Sequence, residues 1–252
     1  MRTIRQTTPS SLTAFKALVR SDFLVQLRQR RSFIASLLVP LLFLFTMKRL
    51  IPVLGPAAVL ATSISIGLPA IGLMGYALVV ARDRELGVFQ RLRATPCPTW
   101  VIMSSRFAVQ LLVMAAVAII TMVVAYSVDD IRTSPERVVL VLLAVAISGA
   151  SFLALGQLIV ALFKSSETVN GATRLVYMMV VLVGIIGQSQ RSSSPWHTIV
   201  EWSPFGVTKT IVQMALVPGA VGWHGAEVVL ASLAYTLVFA AIGIRWFKWT
   251  VN

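Results

Sequence analysis

Few side chains in this sequence have the types and spacing that catalysis or metal binding needs. The two histidines, His197 and His224, have no cysteine or acidic pair at the spacing that metal ligands need. We therefore interpret them as polar residues at a membrane–water interface. The one cysteine, Cys97, can form no disulfide within the chain. A Gly-x-Ser-x-Gly nucleophile motif and a Gly-x-x-x-x-Gly-Lys-Ser/Thr phosphate-binding loop are both absent from the sequence. The sequence therefore predicts no catalytic, metal or nucleotide site, and any ATP-driven work must come from a partner chain.

The most organised charged stretch is residues 81–98, with the sequence ARDRELGVFQRLRATPCP. Acidic and basic residues precede Gly87, and a short helical run follows it. The run stops before Pro96, because a residue that precedes proline avoids the helical conformation. An apolar knob that includes Phe89 and Leu92 has no use in a solvated spacer. We therefore predict a short helix, parallel to the membrane, that inserts into a cleft on a soluble partner.

The composition excludes a soluble globule. Of the 252 residues, 57% are hydrophobic and 12% are charged, whereas a soluble domain carries about 25% charged residues to wet its surface. Most of the exterior must therefore face lipid. The net charge of +13 does not indicate nucleic-acid binding, because the basic residues lie between apolar runs and no base-reading motif accompanies them.

The apolar runs predict an all-α integral membrane protein with six transmembrane helices. A spanning helix needs about 20 residues, and the predicted spans are about 32–50, 57–81, 101–126, 138–163, 173–188 and 226–247. The first is short, so Arg31 and Lys48 are expected to snorkel at its two ends. We predict that residues 32–252 form a single domain.

Residues 1–31 precede this domain and are predicted to hold a polar tail and an amphipathic helix. Between Leu12 and Arg31, apolar residues recur every three or four positions among basic ones. Such a helix lies in the headgroup layer, with its basic side toward anionic lipid. The basic residues of interest in this helix are Arg20, Arg28, Arg30 and Arg31.

The distribution of basic residues predicts the orientation. With six spans both termini share one side, and that side carries most of the 22 Lys and Arg residues. Positive residues hold loops in the cytoplasm, so both termini are predicted to be cytoplasmic in a multi-pass protein of the cell inner or plasma membrane. On the exterior side, the amphipathic stretch 196–216 predicts short re-entrant helices before the last span.

Ionisable residues are nearly absent from the interior of the predicted spans, which argues against an ion- or proton-coupled carrier. Neutral residues are the candidates for lining a substrate pathway, and the alternative is that they only pack helices together. These candidates are Met74, Tyr76, Gln157, Tyr177, Met178, Met179 and Gln188. In the second span, Pro69 with Gly67, Gly72 and Gly75 predicts either a bend or close helix packing.

These features resemble the ABC-2 family of ABC-transporter permeases. The family pattern after the second span is an acidic-basic stretch, a glycine and then Arg-Leu-Arg-Ala-Thr-Pro, which is matched here by Glu85, Gly87 and residues 91–96. Residues 38–40 (Leu-Val-Pro) and 203–205 (Ser-Pro-Phe) agree as well. The chain looks most similar to drug- and antibiotic-resistance permeases of the daunorubicin-exporter type. It departs from the pattern at residues 97–98 and in its short first span.

The resemblance implies a pair of permeases, identical or paralogous, that work with two cytoplasmic ABC ATPase subunits. ATP and Mg would bind to those subunits and not to this chain. The implied ATPase-coupling residues are Arg82, Asp83, Arg84, Glu85, Gly87, Phe89, Arg91, Leu92, Thr95 and Pro96. The short loop with Lys164, Ser165, Glu167 and Asn170 is implied to make a second cytoplasmic contact, and the N-terminal amphipathic helix is implied to act as a gate.

Three functions stay open at this point. The first is the permease of an ATP-driven exporter for a drug, antibiotic or other amphipathic or lipid-like compound. The second is a permease for a polysaccharide or lipid-linked glycan, although the aromatic and basic start of the first span typical of such proteins is weak here. The third is a membrane-embedded enzyme or channel, for which the spans supply no convincing reactive groups.

Overall fold

A computed structural model describes residues 11–28, 30–93, 98–129, 131, 133–189, 195–217 and 223–247, and every structural statement below concerns these residues. They form helices joined by short turns, with no β-strand in the described ranges. The helices are α1 (Ser11–Arg28), α2 (Arg30–Met47), α3 (Ile51–Leu54), α4 (Pro56–Pro69), α5 (Ala77–Glu85), α6 (Val88–Arg93), α7 (Thr99–Asp129), α8 (Pro135–Leu162), α9 (Ser166–Ser189), α10 (Pro195–Glu201), α11 (Pro204–Leu216) and α12 (Trp223–Trp246), with a 3-10 turn at Lys48–Leu50 and a π-helical segment at Ala70–Tyr76.

Five helical stretches in the described ranges are long and apolar enough to cross a membrane. They are Phe33–Leu54, Pro56–Glu85, Trp100–Asp129, Pro135–Leu162 and His224–Trp246. This confirms an all-α integral membrane protein. The predicted span 173–188 lies within α9, which is not among the five; its first turns carry Glu167, Asn170 and Arg174 and are therefore polar. The count of six spans stays a prediction.

The second of these stretches, Pro56–Glu85, is the central helix of the bundle. In its most apolar 18-residue segment, 78% of the residues are buried, against 11% in the corresponding segment of the first stretch. Small residues allow this burial, because a Cβ on Gly156 of α8 would lie 2.4 Å from the carbonyl oxygen of Gly72. Likewise, a Cβ on Gly72 would lie 2.9 Å from the backbone of Phe152. The glycines of this span therefore serve close packing.

The central helix also changes its winding directly after Pro69. Proline has no N–H to donate, which weakens the helical hydrogen-bond ladder. The next seven residues, Ala70–Tyr76, are π-helical. Such π segments mark irregular and often functional places in a helix. The irregularity lies where the sequence predicted either a bend or close packing; close packing is observed, and a bend stays a prediction.

The bundle has two ends that are described separately below. The α6 end holds α1, α6, the first residues of α7 and α9, and the last residues of α5, α8 and α12. The α11 end holds the 3-10 turn, α10, the last residues of α7 and α11, and the first residues of α8 and α12.

At the α11 end, α10 and α11 form a helical hairpin that enters the bundle. Ser203 caps the start of α11, because its hydroxyl accepts a hydrogen bond from the amide of Gly206 at 3.1 Å. The hydroxyl of Tyr235, in the middle of α12, donates to the carbonyl oxygen of Trp202 at 2.6 Å. The turn of the hairpin therefore contacts α12 both near its start, at His224, and through the side chain of Tyr235. That these helices are re-entrant stays a prediction.

Candidate functional site

The charged stretch at residues 81–98 begins as the end of a helix. Helix α5 continues through Arg82, Asp83, Arg84 and Glu85 before the chain turns. Gly87 has a φ of 69°, in the left-handed region that only glycine adopts without strain. Its amide donates to the carbonyl oxygen of Arg84 at 3.2 Å, which ends α5 and directs the chain into the short helix α6.

Arg84 is a buried cation that binds the end of α8. Its side chain is within the core, with the residue only 3% exposed. The guanidinium donates to the carbonyl oxygens of Val160 at 2.7 Å, Phe163 at 2.6 Å and Lys164 at 2.8 Å. The last carbonyls of a helix have no partner within it and form the negative end of its dipole. Arg84 therefore supplies hydrogen bonds and the complementary charge at the same place.

Glu85 makes the reciprocal contact with the start of α9. Its carboxylate accepts a hydrogen bond from the amide of Ser166 at 2.5 Å and another from the Ser166 hydroxyl at 2.6 Å. An acceptor is favourable here because the first amides of a helix lack partners and carry partial positive charge. Adjacent residues of α5 thus bind opposite poles of two consecutive helices. We call this arrangement, Arg84 and Glu85 bound to the turn from Val160 to Ser166, the clasp.

The clasp brings together two sets of residues that the sequence analysis treated as separate contacts. Lys164 belongs to it through its backbone, and Ser165 bonds through its side chain to Thr168 at 2.7 Å. Glu167 is exposed, and Asn170 is half-buried. The exposed residues on either side of the clasp, here called the docking surface, are Arg82, Leu86, Gln90, Arg91, Lys164 and Glu167.

Phe89 is the clearest departure from the sequence-based expectation. The prediction placed it in an exposed apolar knob, but its side chain is fully buried. Its ring lies 6.0 Å from the ring of Phe247 in an edge-to-face contact, and the guanidinium of Arg106 lies 4.8 Å from its centroid. The interpretation of Phe89 as a knob for a partner's cleft was wrong, because the turn at Gly87 folds α6 back against α7 and α12. Leu92 is half-buried against the same core.

Leu86 and Ser166 were missed by the sequence reasoning. Leu86 is 67% exposed and precedes the glycine that ends α5, so it is the apolar residue that α5 presents outward. Ser166 begins α9 directly after Ser165, whose hydroxyl caps the helix by accepting a hydrogen bond from the amide of Thr168 at 3.1 Å. Serine is favoured at this cap position, and this signal could have located the start of α9.

Asp83 and Arg106 form an ion pair between α5 and α7. Both side chains are largely buried, and the same Arg106 contacts the ring of Phe89. A sequence pattern shows only that Arg106 lies near the end of a span. The structure makes it the link between α5, α6 and α7.

The N-terminal amphipathic helix, α1, packs along the start of α7. The hydroxyl of Ser105 lies 3.5 Å from a carboxylate oxygen of Asp22. Arg20 is exposed on α1, as are the apolar residues Phe23 and Leu24. The side chains of Arg28, Arg30 and Arg31 lie outside the described residues, as do Thr95 and Pro96 of the predicted coupling set and Cys97.

The candidate pathway residues whose side chains are described lie in different surroundings. Tyr76 and Gln157 are joined, with the tyrosine hydroxyl donating to the glutamine Oε1 at 2.8 Å, and both are buried. Met178 and Met179 lie on the exposed side of α9, which faces outward from this chain. Met74 and Tyr177 are half-buried. The side chain of Gln188 lies outside the described residues.

The described residues hold no group of three or more His, Cys, Asp or Glu side chains that could bind a metal ion. His224 lies 3.2 Å from Glu201 and 3.4 Å from Glu227, a pairing that the sequence spacing does not reveal.

Comparison with known proteins adds one match. Residues 13–217 match the model of the protein family described as ABC-2 type transporter. The match includes all but the first two residues of α1, and it includes the clasp, the docking surface and the hairpin of α10 and α11. No curated protein matches the chain significantly.

Proposed function

The chain belongs to the ABC-2 type transporter family and is thus a multi-pass membrane subunit of an ABC transporter, and we propose that it is the permease of an ATP-driven exporter. Its substrate is a drug, antibiotic or other amphipathic or lipid-like compound. The ATPase is a separate cytoplasmic chain that binds ATP and Mg, and two such chains act with two permeases. The α6 end faces the cytoplasm.

The clasp is the observation that supports this proposal. A force on the docking surface reaches Arg84 and Glu85, which hold the end of α8 and the start of α9. The same two residues end the stretch Pro56–Glu85, the most buried helix of the bundle. Closure of the ATPase can therefore move the central helix and the α8–α9 turn together.

Such coupling requires that ATP favour one conformation of the permease through contacts that differ between conformations. The docking surface can provide them, because it combines two arginines with the exposed Leu86. The irregular π-helical segment in the same central helix gives that motion a place where the helix can change its winding.

The docking surface can be tested by site-specific photo-crosslinking in membranes. A photoreactive residue at Leu86 should cross-link to an ATPase that carries a phosphate-binding loop. The same residue at Leu140, which is exposed on α8 at the α11 end, should not. Cross-linking at Leu140 and not at Leu86 would contradict the proposed docking surface.

Coupling is tested with Glu85→Ala in vesicles that contain the permease and its ATPase. We expect the rate of ATP-dependent transport to fall by about tenfold, a factor that corresponds to a typical coupling free energy. The permease should still insert into the membrane. Glu136→Gln, an exposed residue at the α11 end, is the control and should transport normally. Normal export by Glu85→Ala would show that the clasp transmits nothing.

Orientation is tested through Cys97, the one cysteine of the chain. A membrane-impermeant maleimide should label it in inverted vesicles and leave it unlabelled in intact cells. Labelling from outside the cell would place the docking surface where no ATPase is present.

A further inference from the structure

A small polar cavity lies at the α6 end, between α1, the central helix and α7. Its volume is about 100 Å³, and the lining residues with polar side chains are Asp22, Gln26, Tyr76, Asp83, Arg106 and Gln110. The clasp and the docking surface do not include it. Because α1 forms one wall, the cavity lies directly under the helix that the family resemblance implies is a gate.

One buried hydrogen-bond acceptor in this cavity lacks a donor, and one carboxylate is only weakly bonded. Arg106 is engaged by Asp83, and the Ser105 hydroxyl lies closer to the carbonyl oxygen of Ile102, at 2.9 Å, than to Asp22, at 3.5 Å. Gln110 is 6% exposed, and its buried Oε1 has no hydrogen-bond partner among the described residues. A buried acceptor without a partner is costly. Gln110 Oε1 and the carboxylate of Asp22 are therefore the two acceptors in the cavity that a donor from a ligand could satisfy.

The charges of the cavity favour a cation. It contains two carboxylates, Asp22 and Asp83, and one guanidinium, Arg106, so its formal charge is negative when all three are ionised. Burial raises the pKa of Asp22, and the neighbouring Asp83 raises it further, although Arg106 acts in the opposite direction. The ionised Asp22 is therefore incompletely compensated by the protein.

The size and the access to the cavity narrow the class of ligand. About 100 Å³ accommodates a small head group and not a whole drug-sized molecule. Val25 lines the cavity and is also 51% exposed on α1, beside the exposed Phe23 and Leu24. An apolar chain can lie along this surface while its head group enters the cavity. A divalent metal fits less well, because it would have to displace Arg106 from Asp83.

We propose that the cavity between α1 and α7 binds the protonated amine of an amphipathic substrate, with Asp22 and Gln110 accepting its N–H groups. The inference rests on the proposed export function and narrows its substrate to compounds that carry a primary or secondary ammonium group. Substrate held there lies between the gate helix and the central helix, next to Tyr76 and its bond to Gln157.

The test uses the permease alone, without its ATPase, in nanodiscs of zwitterionic lipid. The probe is n-butylammonium, and binding is followed by a saturation-transfer NMR titration. We expect n-butylammonium to bind, tetramethylammonium to bind more weakly because it has no N–H, and butanol and butyrate not to bind.

Two substitutions address the assigned residues, and one serves as the control. Asp22→Asn should weaken n-butylammonium binding by about tenfold or more, because it removes a charge-assisted hydrogen bond. Gln110→Leu should weaken it by a smaller factor, while Glu136→Gln should leave it unchanged. Equal affinity of wild type and Asp22→Asn, or butanol binding as well as the amine, would overturn the proposal.

The pH dependence of amine binding tests whether Asp22 is the residue that binds the ammonium group. Because the pKa of Asp22 is raised, its carboxylate takes up a proton at a higher pH than an exposed aspartate does, and amine binding should weaken as the pH falls through that range. Asp83, Arg106 and Tyr76 are the other ionisable groups that face the cavity. Binding by Asp22→Asn should change less over this range. An acid-induced loss of equal size in this variant would assign the titration to another group and contradict the role of Asp22.

The two proposals fail separately. Loss of amine binding leaves the coupling test of Glu85→Ala untouched, and normal transport by Glu85→Ala leaves the amine titration untouched.

Discussion

The two ends of the bundle are held together in different ways. At the α6 end, the buried Arg84 bonds to three carbonyl oxygens and Glu85 accepts two hydrogen bonds from one residue. At the α11 end the donors are weaker or more exposed: Arg137 makes one bond, to the carbonyl oxygen of Val217 at 3.2 Å. Lys48, with its side chain 49% exposed, pairs with Asp129 at 2.7 Å and donates to the carbonyl oxygen of Val128 at 3.3 Å.

This difference indicates which end moves as a unit. Multiple short bonds to helix termini allow little relative motion between α5, α8 and α9. Ion pairs and hydrogen bonds from partly exposed donors such as Lys48 stabilise weakly and break at low cost. We therefore expect the α6 end to transmit displacement and the α11 end, where the hairpin enters the bundle, to rearrange when the substrate leaves.

The largest expected effect is at the buried ring of α6. Phe89→Ala should lower the free energy of unfolding by about 3–5 kcal/mol, because it removes a fully buried phenyl group. Thermal unfolding of the purified protein in detergent measures this. Leu86 is exposed and lies three residues before Phe89 in the sequence. Leu86→Ala should change the free energy of unfolding by less than about 0.5 kcal/mol. If Phe89→Ala unfolds at the same temperature as the wild type, α6 is not packed into the bundle.

The next effect compares one arginine from each end. Arg84→Ala should cost about 3 kcal/mol, since three carbonyl oxygens lose a charged donor inside the protein. Arg137→Ala should cost about 1 kcal/mol or less, because it loses one longer bond. Chemical denaturation in mixed micelles compares the two. Equal losses would remove the distinction between the ends.

A smaller effect is expected for the coupling energy between two side chains that contact each other. A double-mutant cycle of Glu85→Ala with Ser166→Ala should give a coupling energy of about 1 kcal/mol for the hydrogen bond from the Ser166 hydroxyl, because Ser166→Ala keeps the backbone amide that also donates to Glu85. The same cycle for Glu201→Ala with His224→Ala should give a coupling energy of about 0.5 kcal/mol or less, because both side chains are partly exposed. A stronger coupling at the α11 end would reverse the assignment of the rigid end.

The smallest effect is expected at the hairpin. Tyr235→Phe removes the hydrogen bond to the carbonyl oxygen of Trp202 and should cost about 0.5–1 kcal/mol. It should also increase hydrogen exchange of the amides in α10 and at the start of α11. Tyr126→Phe, an exposed tyrosine of α7, is the control and should change neither quantity. Unchanged exchange in Tyr235→Phe would mean that this bond does not hold the hairpin.

Much of the fold could be predicted from local sequence. Long apolar runs indicate membrane helices, because lipid offers no hydrogen-bond partners and the backbone must satisfy itself. The proline and glycines of the second span predicted either a bend or close packing, and close packing occurs. The fifth predicted span is less distinct in sequence because α9 starts with polar residues. Those residues have a tertiary role, since the first amide of α9 belongs to the clasp.

The candidate site was predicted by position and only partly by role. The stretch 81–98 was singled out correctly as more than a spacer, yet Phe89 was assigned to the outside. Its burial depends on the left-handed turn at Gly87 and on Phe247, a residue far along the chain. No local pattern reports such a contact.

The sequence by itself determined the class of this protein and its family, because both depend on features that are local: apolar length, charge between the spans, and a short motif at residues 91–96. Only the tertiary structure decided which charges act together. Arg84 meets Val160, and Asp22 meets Ser105, across some eighty residues of chain. Partners at that separation are set by how the helices pack, and packing is a property of the whole bundle.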